Sequence, residues 1–125
     1  MIEMGFETTI LNHILHGEKT VEGRLRTGKF ITVRKGDRIN LREDFWENDR
    51  IVRSIPNRAT VTVTSTQIFD SFAAMLAAVP LQDVLPSAAS IDEALKMYRQ
   101  FYTASQEREQ GVVAVGFTLG PRAGA

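Results

Sequence analysis

Cysteine is absent from the sequence, which excludes a disulfide framework and any thiolate zinc site and fits a reducing interior. No apolar run approaches the roughly 20 residues that a membrane helix needs. Nor does a basic start followed by an apolar signal core open the chain, so neither secretion nor membrane spanning is expected and the cytoplasm is the default location. There is no Gly-rich loop ending in Lys-Ser/Thr, which disfavours ATP- or GTP-dependent chemistry. Histidine occurs twice, at His13 and His16. They stand one helical turn apart without a third ligand, so no metal site is expected and both read as surface residues. Positive and negative side chains balance at 15 each, which argues against coating a polyanion through bulk charge.

What is present suits one compact domain over residues 1–119, followed by a frayed tail over 120–125: the chain has 125 residues, 43% of them hydrophobic, enough for one real core. Ile2, Met4 and Phe6 alternate with polar or small residues as a half-buried strand. Thr8 or Thr9 can cap a helix whose apolar side is Ile10, Leu11, Ile14 and Leu15. Gly36-Asp37 marks a turn into a strand from Arg38 to Arg42. Phe45 and Trp46 then sit in an acidic stretch, as barrel packing or as an exposed pair able to stack a base. Ile51 to Ile55 leads through a Pro56-Asn57 turn into the valine-threonine strand Arg58 to Ser65. Asp70 or Ser71 starts a helix buried through Phe72, Met75, Leu76 and Val79. Ser90-Ile91-Asp92-Glu93 is a capping box for another, along which Tyr98, Phe101 and Tyr102 read as core or interface residues. Ser105 to Gln110 reads as a polar loop, and the apolar run from Gly111 to Val115 as a central strand buried on both faces.

Chemistry concentrates in Gly17-Glu18-Lys19-Thr20-Val21-Glu22-Gly23-Arg24. Gly17 suits the left-handed turn after a helix end. If Thr20 to Leu25 form a strand, Val21, Gly23 and Leu25 share one face and Thr20, Glu22 and Arg24 the other. The ammonium of Lys19 then stands at the mouth of the turn, beside a carboxylate and a guanidinium in one open cleft, where Lys19→Met should leave the fold intact. From Lys19 to Arg42 eight basic residues face two acidic ones. The tip around Arg26-Thr27-Gly28-Lys29, anchored by Phe30, Ile31 and Val33, is read as mobile and basic.

Gly-x-Lys-x-x-Glu-x-Arg, followed by the basic segment, the Gly36-Asp37 turn into a strand and the closing Gly111 strand, resembles the ASCH domain family, related to the PUA RNA-binding fold. The likeness extends over nearly the whole chain. It implies an α+β fold: a PUA-like small mixed β-barrel with helices packed around a cleft lined by the motif. It also implies a monomeric RNA-related protein that needs no cofactor. In that reading a cationic cleft binds single-stranded RNA, a nucleotide or a nucleoside through Lys19, Thr20, Arg24, Arg26 and Lys29. Two enzymatic alternatives come with the family. One branch removes the acetyl group from acetylated cytidine with a Lys, a Thr and a later Glu. Here the Lys falls on Lys19, Glu22 stands where the Thr would be, and the segment Phe72 to Leu85 offers only Asp83, leaving Lys19 and Glu22 as the candidate acid-base pair. The other activity is cleavage of single-stranded RNA, with Lys19 on a developing phosphorane, Arg24 on a phosphate oxygen and His13 or His16 carrying a proton. The bland reading of Glu22 and Arg24 is a structural ion pair.

Overall fold

The computed structural model describes residues 2–120; the tail expected to fray lies, beyond Gly120, outside the described residues. Five strands form one sheet: β1 (Ile2–Glu7), β2 (Val21–Leu25), β3 (Arg38–Glu47), β4 (Arg50–Phe69) and β5 (Val112–Leu119). Their order is β1-β3-β4-β5-β2, with β1 parallel to β3 and the other pairs antiparallel. Five helices accompany it: α1 (Thr8–Leu15), α2 (Phe72–Ala78), α3 (Leu81–Val84), α4 (Ile91–Arg99) and α5 (Ala104–Gln110). The class is α+β, as expected. The sheet is not closed into a barrel: β1 and β2 are its two edges. Instead of a ladder, a side chain links them, Arg24 Nη2 of β2 donating to the Gly5 carbonyl of β1 at 2.9 Å.

Two cores lie on opposite faces of β5, whose residues from Val112 to Phe117 are all buried. Val113, Val115 and Phe117 pack with Met4, Leu11, Ile39 and Val61 inside the curved sheet, while Val112 and Ala114 pack with Phe72, Met75, Val84 and Ala94 from the helices. A strand that is continuous in apolar character is thus the one covered on both sides.

Several local expectations meet a different outcome. The first helix is capped by Glu7, whose side chain accepts from Ile10 N at 2.9 Å, rather than by Thr8 or Thr9. Between Gly17, at φ 75°, and Lys19 the chain folds back over the end of α1, with the amides of Glu18 and Lys19 both donating to the His13 carbonyl. The basic tip forms a 3₁₀ turn over Gly28–Ile31, anchored by Phe30 and Val33 but not by Ile31, which is exposed. The two strands expected on either side of Pro56-Asn57 are one 20-residue strand. The register passes from Leu41↔Ala59 to Glu43↔Ile55, so Pro56, Asn57 and Arg58 bulge out opposite Arg42. Proline lacks the donor a ladder needs and Asn57 takes φ 56°, signals a bulge shares with a chain reversal. The true reversal is Asn48-Asp49, both at positive φ, the geometry of a two-residue hairpin.

Ser90 accepts from Glu93 N at 3.1 Å as half of the expected capping box. The reciprocal box occurs instead at Thr103 and Gln106, making a helix of the segment read as a polar loop. Its buried Glu107 accepts from Phe72 N at 2.7 Å and pairs with Arg99 at 2.7 Å, tying α5 to α2 and α4.

Candidate functional site

Alternation along β2 runs as the sequence requires. Val21, Gly23 and Leu25 turn to the helices, and Gly23 lets Met75 and Tyr98 approach so closely that a Cβ there would lie 2.6 Å from Met75 Sδ and 3.1 Å from Tyr98 Oη. On the opposite face Glu22 Oε2 accepts from Arg24 Nε at 2.9 Å. The Arg24 guanidinium lies 5.2 Å from the Phe6 ring centroid and 5.7 Å from that of Phe30. Its charge is held by a carboxylate, a carbonyl and two aromatic rings at once.

Lys19 departs from expectation. It is 1% exposed, inside the protein rather than at the mouth of a turn. Its ammonium donates to the carbonyls of Val21 (2.7 Å) and Val84 and sits 3.1 Å from Glu22 Oε1. Val84 ends α3, so Lys19 supplies a donor to one of the carbonyls that a helix end leaves without an intrahelical partner. Burial lowers the Lys19 pKa, with Glu22 opposing. For Glu22 burial acts upward, but Lys19 and Arg24 outweigh it and hold the carboxyl below its ordinary range. The three charged motif residues therefore form a chain, Lys19–Glu22–Arg24, running outward from the core.

The outer end opens into a cleft of about 400 Å³. Glu22, Gly23 and Arg24 line it from β2, Gly5 and Phe6 from β1, Arg42 and Asp44 from β3, and Tyr98, Phe101 and Tyr102 from α4 and the turn after it, with Trp46 from the hairpin. Of the residues the sequence proposed, Glu22, Arg24 and Lys29 line this cleft; Lys19, Thr20 and Arg26 do not. Thr20 is engaged through its backbone, donating to Asp83 O and accepting from Phe117 N, both at 2.9 Å. His13 on α1 and His16 just past its end are away from the lining; His16 is exposed and 3.7 Å from Glu18. Among the described residues no three His, Asp or Glu side chains converge as metal ligands.

The cleft is not the cationic one expected. Arg24, Lys29 and Arg42 line it, but so do Glu7, Glu22 and Asp44. Arg42 is clamped by both oxygens of Asp44, at 2.6 and 2.9 Å, and by Glu3 at 2.7 Å. Ser54 donates to Asp44 Oδ1 at 2.8 Å. Burial acts to raise the Asp44 carboxyl, yet the bonds from Arg42 and Ser54 hold it below its usual range. Three members of the basic band, Lys19, Arg24 and Arg42, are thus held by carboxylate partners. Arg34, Lys35 and Arg38 remain exposed, and Lys29 and Arg38 line a second, shallower concavity beside the cleft.

Sequence reasoning offered Trp46 as a stacking residue, one of two alternatives, but missed the wall that Tyr98, Phe101 and Tyr102 make with it. Trp46 and Phe101 stand at the rim, 45% and 57% exposed, with rings edge to face at 5.8 Å. Phe101 is therefore not a core residue. Tyr98 and Tyr102 stack on the buried Phe72, at 4.2 and 5.2 Å between centroids. The spacing of Tyr98, Phe101 and Tyr102 is that of a single helix face and gave no warning; α4 ends at Arg99, so Phe101 stands in the turn after it and faces out.

No protein-family model matches the chain, and no curated protein does. Among solved structures it is similar to hypothetical protein PH0355, with 32% identity, a TM-score of 0.80 and coverage of 94% of this chain and 97% of that one. Protein PF0455 from Pyrococcus furiosus is 30% identical with a TM-score of 0.73, over 97% of this chain and 98% of that one. Protein EF3133 from Enterococcus faecalis V583, described with the family model DUF984, shares the fold alone: 14% identity and a TM-score of 0.51, over 90% of this chain and 70% of that one. With that identity over nearly the full length of both partners, the chain belongs to the family of PH0355 and PF0455.

Proposed function

We propose that this chain is an ASCH-like domain of the PUA-related type, and that its cleft binds single-stranded RNA or a nucleotide by taking in a base. The curved sheet, with its edges linked through Arg24 and Gly5, supports the PUA-like reading. The carrying observation for binding is the pairing of walls: the motif's Glu22 and Arg24 face the aromatic side chains of Trp46, Tyr98, Phe101 and Tyr102 across about 400 Å³. Aromatic faces stack bases of any sequence, and a fixed carboxylate-guanidinium pair offers both acceptor and donor to a base edge. Lys29, shared between the cleft and the concavity beside it, and Arg38 in that concavity suit the phosphates that follow the base.

Binding is favoured over catalysis because of where the proton-transfer candidates lie. Removal of an acetyl group from cytidine, or cleavage of RNA, asks for a nucleophile or a proton carrier touching the substrate. Of the candidates only Glu22 is on the lining, and its carboxylate is held charged between Lys19 and Arg24; Lys19 lies behind it, and Thr20, His13 and His16 are off the lining. A binder requires none of them there.

The single tryptophan, Trp46, is at the cleft rim and serves as the reporter. Titrating a short single-stranded RNA and the four nucleosides against its fluorescence should give saturable quenching. RNA affinity should fall with salt by the slope of one or two phosphate contacts, and nucleoside affinity should not. Absence of quenching by RNA and by every nucleoside removes the reading. Turnover of acetylated cytidine or of RNA in the same samples, lost on Glu22→Gln, replaces it with an enzymatic one.

A further inference from the structure

The buried Tyr98 hydroxyl has a place in the fold but no role in holding it. Tyr98 is 7% exposed and lines the cleft, yet it is the one buried side-chain polar atom among the described residues without a hydrogen-bond partner. It lies against the Gly23 backbone without a bond of good geometry. Such a group costs stability, which phenylalanine at the same position would avoid while keeping the stack on Phe72. The approach goes with the sequence: a Cβ at position 23 would crowd Oη at 3.1 Å and overlap Met75 Sδ at 2.6 Å.

Its surroundings decide what it can offer. Burial, with the Glu22 carboxylate adding to it and Arg24 opposing, holds the phenol well above its ordinary pKa, so the hydroxyl keeps its proton and is a donor at neutral pH. The nearby charges are already matched: Glu22 by Lys19 and Arg24, and Arg42 by Asp44 and Glu3. A charged group entering this part of the cleft would have to break one of those pairs. A neutral ring would not.

We propose that Tyr98 is a specificity-determining residue of the cleft, donating its hydroxyl proton to a carbonyl or ring-nitrogen acceptor on the edge of an uncharged heterocycle. This rests on the base-binding reading above and names the group that reads the base. Phosphate stays outside, toward Lys29, so the bare nucleoside carries the recognised part of the ligand.

The test is Tyr98→Phe, probed with the four nucleosides by Trp46 fluorescence and by thermal unfolding. Expected are an unchanged or raised Tm, an affinity for the best-bound nucleoside lowered about 10-fold, and a narrower ranking among the four. A Tm lowered by several degrees would make the hydroxyl structural and overturn the proposal. So would binding of the best nucleoside within twofold of wild type with an unchanged ranking. RNA binding by wild type with no nucleoside bound would sink this proposal and leave the RNA reading standing; absence of binding by RNA and nucleosides alike would sink both.

Discussion

Replacing Lys19 with methionine tests the internal end of the charged chain. Methionine keeps most of the stem volume and removes an ammonium that is 1% exposed and has three partners. Removing one member of a buried ion pair costs about 3–5 kcal/mol. Glu22 keeps Arg24 at 2.9 Å, which places its loss near the lower end, about 3 kcal/mol. The Val84 carbonyl loses its Lys19 donor for about 1 kcal/mol more. A total of about 4 kcal/mol is a large part of the roughly 5–15 kcal/mol that holds a domain folded. It corresponds to a fall of roughly 10–20 °C in Tm for a chain of this size. Glu22→Gln should cost about 1–2 kcal/mol less in the Lys19→Met background than in wild type, because the ammonium-carboxylate pair is then already lost. Urea unfolding of wild type, both single variants and the double variant, followed by circular dichroism at pH 7, measures the coupling. Lys19→Met within about 1 kcal/mol of wild type, with no coupling to Glu22, would refute the structural role. It would restore the picture of an open lysine whose exchange the fold tolerates.

Gly5→Ala should destabilise by about 1–3 kcal/mol in thermal unfolding, since a Cβ there overlaps Asp44 Oδ2 and Arg42 Nη2 and must displace their clamp. A neutral or stabilising result, as expected where only unfolded-chain entropy changes, would show that the clamp can shift without loss. The carboxyls of Glu22 and Asp44 both titrate below their ordinary values in the folded protein. Their contribution is therefore complete above the unfolded-state pKa and lost as pH falls through the folded one. Stability measured by urea midpoints should decline progressively below about pH 5. Glu22→Gln should flatten that decline, whereas a stability profile level from pH 6 to pH 3 would mean that neither pair is formed.

The sequence alone determined what depends on neighbours a few residues apart. Alternation fixed the two faces of Val21 to Leu25, the apolar run fixed β5 as covered on both sides, and Gly17 and Ser90 marked helix boundaries, because backbone geometry and side-chain period act locally. The same local signals misled where two structures share them. Pro56-Asn57 fits a reversal as well as a bulge, and polar residues 105–110 fit a loop as well as a helix held by a reciprocal cap and one buried glutamate. Tertiary structure decided the site. Lys19 is buried because a carbonyl 65 residues later in the chain ends a helix directly over it. Arg24 is held because β1, 19 residues earlier, brings the Gly5 carbonyl within reach. The aromatic wall exists because α4 packs across the motif strand at Gly23. Charge and exposure are properties of what surrounds a side chain, and for the motif those surroundings come from distant parts of the chain.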